Sequence, residues 1–414
     1  MRAARRGVVL GQGTLRRPRQ RAGRRPGDPR HGRCDGLRLR LDRGGHVRAA
    51  AHLVALSLCL VPVACSSAPP DEQGAPATPP ASATSAPAAP KASPSPSASQ
   101  PPADGAPVVL AISIDGLNPE ALTALSPAEI PALRRLIDQG ASTLDARTSR
   151  ELTITLPNHT GMMTGRRVDG PDGTSVTFND DDGRTLEQVH GSYVPGMFDV
   201  AHDHGVRTAL FAEKDKFRLL VRSWDRNHGA DDVTGDDDGR DKLDAAAIGP
   251  AADLVDDVTA ALRGDGAGLV FWHLAAPDAA GHANGWLTPA YLAAVREADR
   301  RIGDVLAALD ADPALVARTT IVLTADHGGP AGSRDHGDAT LEADYRVPFI
   351  VWGRTVSAGA DLYDLDSTRS DPGTGRPGYS GPQPVRNLDV AATSLALLGL
   401  PQLPDTAGTP VVVR

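Results

Sequence analysis

The chain has 414 residues, 40% of them hydrophobic and 23% charged, with a formal net charge of −8, a balance suited to a soluble globular protein joined to something less ordered. The first 48 residues are dense in arginine and poor in acids, so the rest is more acidic than the total, which argues against a nucleic-acid-binding surface built on phosphate contacts. Cys34, Cys59 and Cys65 all precede the region able to fold, which excludes disulfides and thiolate metal ligands from that region.

Residues 1–47 hold Arg, Gly and Pro with no sustained apolar period and read as a non-structured extension or an upstream mis-start. Residues 48–65 carry an apolar stretch too short for a membrane span and right for a signal-peptide core, so the protein is expected to be exported. The stretch ends in Val61-Pro62-Val63-Ala64-Cys65, which resembles a bacterial lipobox, although Pro62 departs from the usual branched aliphatic residue. That resemblance implies a cell-surface lipoprotein held to the membrane through a lipid on Cys65, with plain secretion as the alternative. Residues 66–106 are Pro, Ala and Ser with almost no large apolar side chain, the composition of a disordered tether.

The folding domain is expected over 107–414. Its first element is the apolar run 108–114, bounded by Pro107 and Asp115-Gly116 and typical of a strand buried on both faces. Helical patterns over 131–139, 251–263 and 289–309 alternate with further apolar runs at 207–211, 268–274, 319–324 and 347–352. This alternation predicts an α/β fold with a mostly parallel central sheet and helices on both faces.

Ligands of such sheets bind beyond the carboxyl ends of the strands. Asp115 follows the first strand, Asp278 and His282 follow the run 268–274, Asp326 and His327 follow 319–324, and His336 comes shortly after. Each pairing alone has a bland reading as a turn or a surface pair. Three carboxylates and three imidazoles at successive strand ends, without thiolates, suit instead a pair of catalytic divalent cations such as zinc. His52, His190, His202, His204 and His228 are read as surface or capping residues, and the acidic loop 231–238 as solvated charge rather than a calcium site. The segment Thr153-Ile154-Thr155-Leu156-Pro157-Asn158-His159 places Thr155 at an anion-friendly helix start, since Pro157 suits a first turn. A capping hydroxyl is the simpler reading of Thr155 in isolation.

Ile114-Asp115-Gly116, Thr155-Leu156-Pro157-Asn158-His159, Pro277-Asp278-Ala279-Ala280-Gly281-His282, Asp326-His327-Gly328 and Asp335-His336-Gly337 occur in that order. Together they resemble the alkaline phosphatase superfamily, in particular its nucleotide pyrophosphatase/phosphodiesterase branch. The resemblance implies an alkaline-phosphatase-like fold and two Zn2+ ions. One would be held by Asp115, Asp326, His327 and Thr155, the other by Asp278, His282 and His336. It further implies Thr155 as a nucleophile passing through a phosphothreonine intermediate, and Asn179 as a donor to a phosphoryl oxygen. Sulfatases of the superfamily use a Cys-x-Pro-x-Arg-like motif that Thr155-Leu156-Pro157-Asn158 lacks. Lys214-Asp215-Lys216, after the run 207–211, is similar to a Lys-Asp-Arg of single-domain Thr-type alkaline phosphatases, with Lys216 where their arginine stands. Lys214 is thus a candidate to reach the phosphoryl group. The expected activity is that of a phosphodiesterase or nucleotide pyrophosphatase acting on a small phosphate ester or nucleotide. A phosphomonoesterase is the alternative, and a catalytically silent surface binding protein is a minor third.

Overall fold

Seven consecutive buried side chains make Val108–Ile114 (β1) the centre of an eight-stranded sheet. The computed structural model describes residues 105–235, 237–263 and 266–414; the expected extension, export signal and nearly all of the tether lie outside them. Ala141–Arg147 (β2), Thr208–Ala212 (β3), Ala245–Ile248 (β4), Leu269–Leu274 (β5), Thr319–Thr324 (β6), Arg346–Gly353 (β7) and Ala360–Asp361 (β8) complete the sheet in the order β4-β3-β5-β1-β6-β7-β2-β8. β1 pairs in parallel with β5 and β6, and β3 in parallel with β4 and β5. β7 runs against both neighbours, β6 and β2. The sheet is therefore mostly parallel, as the alternation of runs predicts, with β7 the reversed member.

Pro348 sits inside β7, where a missing N–H would ordinarily break a ladder. It lies opposite the irregularity between Thr143 and Ala146 of β2, where pairing is already interrupted. Its carbonyl is used from the other side, accepting the Thr324 hydroxyl at 2.7 Å.

Helices cover both faces. Pro131–Gln139 (α1), Ala251–Leu262 (α3) and Pro289–Asp310 (α5) pack together on one side, and Thr155–Thr164 (α2) packs with Asp389–Leu398 (α6) on the other. α6 also contacts β1 and β6, so the last helix lies against the middle of the sheet. α2 is buried at every one of its 10 residues and ends in Gly165 in the left-handed conformation (φ 66°). Ala276–Asn284 (α4) follows β5 directly and leads into α5. Among the described residues no helix is long and apolar enough to cross a membrane.

Candidate active site

The carboxyl ends of β1, β5 and β6 are adjacent because these strands are neighbours, and each delivers an acid. Asp115 follows β1, Asp326 follows β6 after one residue, and Asp278 stands in the first turn of α4 beyond β5. The turn at Gly116 has φ +68°, and a Cβ there would stand 3.0 Å from Cα and Cβ of Asp278, so glycine lets the two aspartate-bearing segments touch. The Gly116 N–H donates to Oδ1 of Asp326 at 3.0 Å, tying the third acid to the same turn.

The histidines arrive from α4 and the loop after β6, and all three are anchored in the same way. Nδ1–H of His282 donates to the Arg334 carbonyl (2.9 Å), that of His327 to Gly328 (2.9 Å), and that of His336 to Thr153 (2.7 Å). A carbonyl can only accept, so each ring carries a proton on Nδ1 and turns its Nε2 toward the site. Those Nε2 atoms converge. His327 Nε2 is 3.2 Å from Asp326 Oδ2, 3.5 Å from Asp115 Oδ1 and 3.8 Å from Asp278 Oδ1. His282 and His336 Nε2 lie 3.3 and 3.7 Å from Asp278 Oδ1, and 3.2 Å from each other.

Two ligand groups result, Asp115 with Asp326 and His327, and Asp278 with His327 and His336, each with its ligand atoms within 4.8 Å. His282 joins the second group through Asp278 and His336. Oδ1 of Asp115, Oδ1 of Asp278, Oδ2 of Asp326 and Nε2 of His327 are buried with no hydrogen-bond partner, an arrangement costly in a folded protein unless a cation completes it. The residues thus fit a pair of divalent cations. Burial lowers the basicity of His327 and His336, the latter to about 3 with a contribution from neighbouring His327, so both imidazoles are neutral and ready to ligate. Burial, then the repulsion of Asp115, drives the Asp326 carboxyl well above its ordinary range. At Asp115 burial acts in the same direction but is outweighed by Lys214, His273 and His327, which hold it well below.

Lys214 does reach this edge of the sheet. Its Nζ stands 2.6 Å from Oδ2 of Asp115 and 2.6 Å from Oδ2 of Asp278, between the two ligand groups. Burial opposes its charge, but Asp115, Asp278 and Asp326 more than compensate and raise its pKa. Thr155 opens α2 and is 1% exposed. Asn179 is brought to the same helix start, where its Oδ1 accepts the Leu156 N–H at 2.9 Å and leaves the amide nitrogen free of that bond. Asn158 fixes the approach to the helix by accepting the Ser149 N–H (3.0 Å) and donating to the carbonyls of Leu152 (2.8 Å) and Ile154 (3.0 Å). The Thr153 hydroxyl donates to the His336 carbonyl at 2.7 Å, so the loop before Thr155 and the last histidine are fastened reciprocally.

Further residues support the site from behind, and of these only His159 belongs to a quoted motif. His273, within β5, accepts the Glu213 N–H on Nδ1 (3.3 Å) and therefore donates from Nε2 to Oδ2 of Asp115 (2.9 Å). His159 donates from Nδ1 to the Thr155 carbonyl and accepts the Ser113 hydroxyl, both at 2.8 Å. Trp286 packs against Gly281 and Gly329, where a Cβ would meet its ring at 2.6 and 2.3 Å, and forms a wall behind the rings of His282, His327 and His336 at 5.3, 6.4 and 5.4 Å. Asn387 donates to Oδ1 of Asn158 (3.1 Å) and to the Asp326 carbonyl (3.3 Å). A polar residue inside the apolar run of β5 is the single signal that could have singled out His273; Trp286 and Asn387 offer none. Of the histidines read as surface or capping residues, His228 bonds Asp225 and His204 the Val200 carbonyl, whereas His190 and His202 are half-buried, each with a buried Nδ1 that has no hydrogen-bond partner among the described residues.

A mostly parallel sheet whose strand ends gather three carboxylates and three imidazoles beside a buried threonine defines a hydrolase of alkaline-phosphatase-like fold. The profile of the Type I phosphodiesterase / nucleotide pyrophosphatase family matches residues 109–348, more than half of the chain. The protein belongs to that family, whose members are phosphoric ester hydrolases. No curated protein matches it. Among solved structures, murine ectonucleotide pyrophosphatase / phosphodiesterase 5, as an inactive variant in complex with AMP, superposes with a TM-score of 0.51 at 14% identity, over 72% of this chain and 96% of that one. A 2-O GAG sulfatase superposes with a TM-score of 0.52 at 14% identity, over 74% of this chain and 73% of that one. At such identity these likenesses establish the shared fold.

Proposed function

We propose that the protein is a two-zinc phosphodiesterase or nucleotide pyrophosphatase working through a phosphothreonine at Thr155. The observation carrying this reading is the set of four buried, unpartnered ligand atoms on Asp115, Asp278, Asp326 and His327 beside a loop that clamps Thr155 to His336 through Thr153. Asp115, Asp326 and His327 would hold one cation with Thr155, and Asp278, His282 and His336 the other. When bound, the pair supplies Lewis-acid stabilisation of the attacking and leaving oxygens of an in-line displacement. The Thr155 oxygen, its hydroxyl proton released, attacks phosphorus from the start of α2, where the helix dipole favours the incoming anion. The scissile P–O bond opposite breaks as it does so, and the leaving oxygen departs with the bonding pair. Asn179, oriented by its bond to Leu156, turns its amide nitrogen to a non-bridging oxygen. Water attacking the phosphothreonine then frees Thr155, and two displacements give net retention at phosphorus.

The bond from the AMP-bound murine relative to this chain is one of family and fold, and a nucleotide is the substrate class we infer from it. Side-by-side rates on p-nitrophenyl phosphate and bis(p-nitrophenyl) phosphate after zinc reconstitution test the reading, with the diester expected to be the better substrate. The reverse order would favour a phosphomonoesterase. Lys214 is the residue on which that second reading rests, because its ammonium stands at the junction of the two ligand groups, where a bridging phosphoryl dianion would meet it. A monoester carries more charge on its free oxygens than a diester, so Lys214→Ala is expected to depress monoester turnover more steeply. Equal losses would remove Lys214 from contact with the phosphoryl group.

The reading includes export, with the enzyme tethered outside the cell by residues 66–106 and a lipid on Cys65. In a bacterial host, Cys65→Ser is expected to move the protein from the membrane fraction to the soluble exported fraction. Unchanged partitioning would rule out the lipid and leave secretion.

A further inference from the structure

The three carboxylates of the site are divided in the same way, one oxygen held by protein donors and the other by none. Asp115 gives Oδ2 to His273 Nε2 (2.9 Å) and to Lys214 Nζ (2.6 Å), Asp278 gives Oδ2 to Lys214 (2.6 Å), and Asp326 gives Oδ1 to the Gly116 N–H (3.0 Å). The second oxygen of each acid, Oδ1 of Asp115, Oδ1 of Asp278 and Oδ2 of Asp326, is buried and accepts no hydrogen bond among the described residues. These three oxygens stand 3.5, 3.8 and 3.2 Å from Nε2 of His327, lone pair facing lone pair. The donors that make the division are a backbone N–H, an ammonium shared by two acids, and one imidazole, His273.

His273 is the one titratable residue in the run Leu-Val-Phe-Trp-His-Leu of β5 and is 0% exposed. A buried imidazole is costly unless its nitrogens are engaged, and here both are. The Glu213 N–H donates to Nδ1 at 3.3 Å, which leaves no proton there and puts the ring proton on Nε2, aimed at Asp115. Phe217 and His159 confine the ring, with centroids 4.5 and 5.0 Å away. Its tautomer is thus the opposite of that in His282, His327 and His336, which are protonated on Nδ1 and present Nε2. The main chain of Asp115 is pinned as well, its N–H donating to the Leu274 carbonyl (2.9 Å) and its carbonyl accepting the Asp278 N–H (3.1 Å). What remains to be set is the rotation of the carboxylate, and Oδ2 is the oxygen that is tied.

A carboxylate beside a divalent cation can offer one oxygen or chelate with both. We propose that His273 is a positioning residue that keeps Oδ2 of Asp115 on the protein and commits Oδ1 to the cation. The inference rests on the two-cation reading above and adds to it the residue that sets how firmly the Asp115 side is held. Loss of an outer donor that orients a metal ligand lowers metal affinity by about ten- to hundredfold.

The test is the zinc affinity of the full-length protein, measured by competition with a chelator, in wild type, His273→Leu and His273→Gln. Leucine suits the apolar surroundings and donates nothing, whereas glutamine can return an N–H to the place of Nε2. His273→Leu is expected to weaken zinc binding by about tenfold or more, and His273→Gln to stay within about threefold of wild type. Cobalt-loaded protein reports the geometry, since its visible d–d absorption is expected to weaken in His273→Leu, as Asp115 turns to chelate with both oxygens and the coordination number rises, and to keep its wild-type strength in His273→Gln. Unchanged zinc affinity in His273→Leu, or an equal loss in the two variants, overturns the assignment. If His273→Leu does not fold, the imidazole 15N spectrum of the zinc-loaded wild type decides. The His273 signals, identified by their absence in His273→Gln, are expected to show a proton on Nε2 and no metal, and a proton on Nδ1 overturns the assignment. A wild type that takes up no zinc sinks the two-cation reading and this inference with it, whereas zinc held equally by wild type and His273→Leu strikes His273 alone.

Discussion

Thr155→Ala is expected to lose on the order of a thousandfold or more in kcat, with no phosphoryl label left on the protein after acid quench of a 32P-substrate. Thr155 is buried at the first position of α2, so the methyl group of alanine fits and the loss reports chemistry rather than folding. Thr153 provides the internal control. Its hydroxyl donates to the His336 carbonyl, so Thr153→Ala removes one buried hydrogen bond, worth about 1 kcal/mol, and is expected to slow turnover far less. If the two variants exchanged roles, with Thr153→Ala the inactive and unlabelled one, the nucleophile would be misassigned.

Removal of metal is expected to have an effect of comparable size and to reach stability as well as turnover. Asp115, Asp278 and Asp326 face one another with Lys214 as the cation among them, and Asp326 is driven well above its ordinary range by burial and by Asp115. A chelated protein must keep this repulsion or protonate, whereas divalent cations relieve it. Strong chelator should therefore abolish hydrolysis of either ester, and zinc should restore it better than magnesium, which prefers all-oxygen octahedral sites to one with three imidazoles. Calorimetry should show a lower Tm for the chelated protein, since a ligand bound only to the native state at about a thousand times its Kd contributes about 4 kcal/mol. Full turnover by protein that elemental analysis finds metal-free would refute the two-cation site.

The legible parts of this fold were the strands buried on both faces. Runs such as Val-Val-Leu-Ala-Ile-Ser-Ile at β1 have one stable destination, the middle of a covered sheet, and β5, β6 and β7 read in the same way. β4 is Ala-Ala-Ala-Ile and β8 only two residues long, so neither carries the β-branched density that marks a strand, and both lie at the sheet edges. β2 mixes Ser, Thr, Asp and Arg with alanine and is held by its pairing to β7 rather than by its own pattern. The reversal of β7 could not be read, because an apolar run has no direction. At the site, the residues on strand ends announced themselves through Asp-Gly, Asp-His-Gly and the four-residue spacing of Asp278 and His282. The supporting residues did not, since Asn387 meets Asn158 and Trp286 meets Gly329 through tertiary contacts that no local spacing encodes.

Asn387 has a bearing on where the functional unit ends. The family profile stops at residue 348, yet Asn387 holds both Asn158 and the Asp326 carbonyl, and α6 contacts both α2 and the middle strands of the sheet. The last stretch of chain is therefore a keystone rather than an appendage: α2 cannot open by itself without giving up its packing on α6. Local fluctuations that expose Thr155 are thus tied to the packing of a fully buried helix against the centre of the fold. A lid-like, low-stability element is the usual home of a substrate-binding loop; Thr155 stands instead on a helix held from both sides, as a fixed point of the fold.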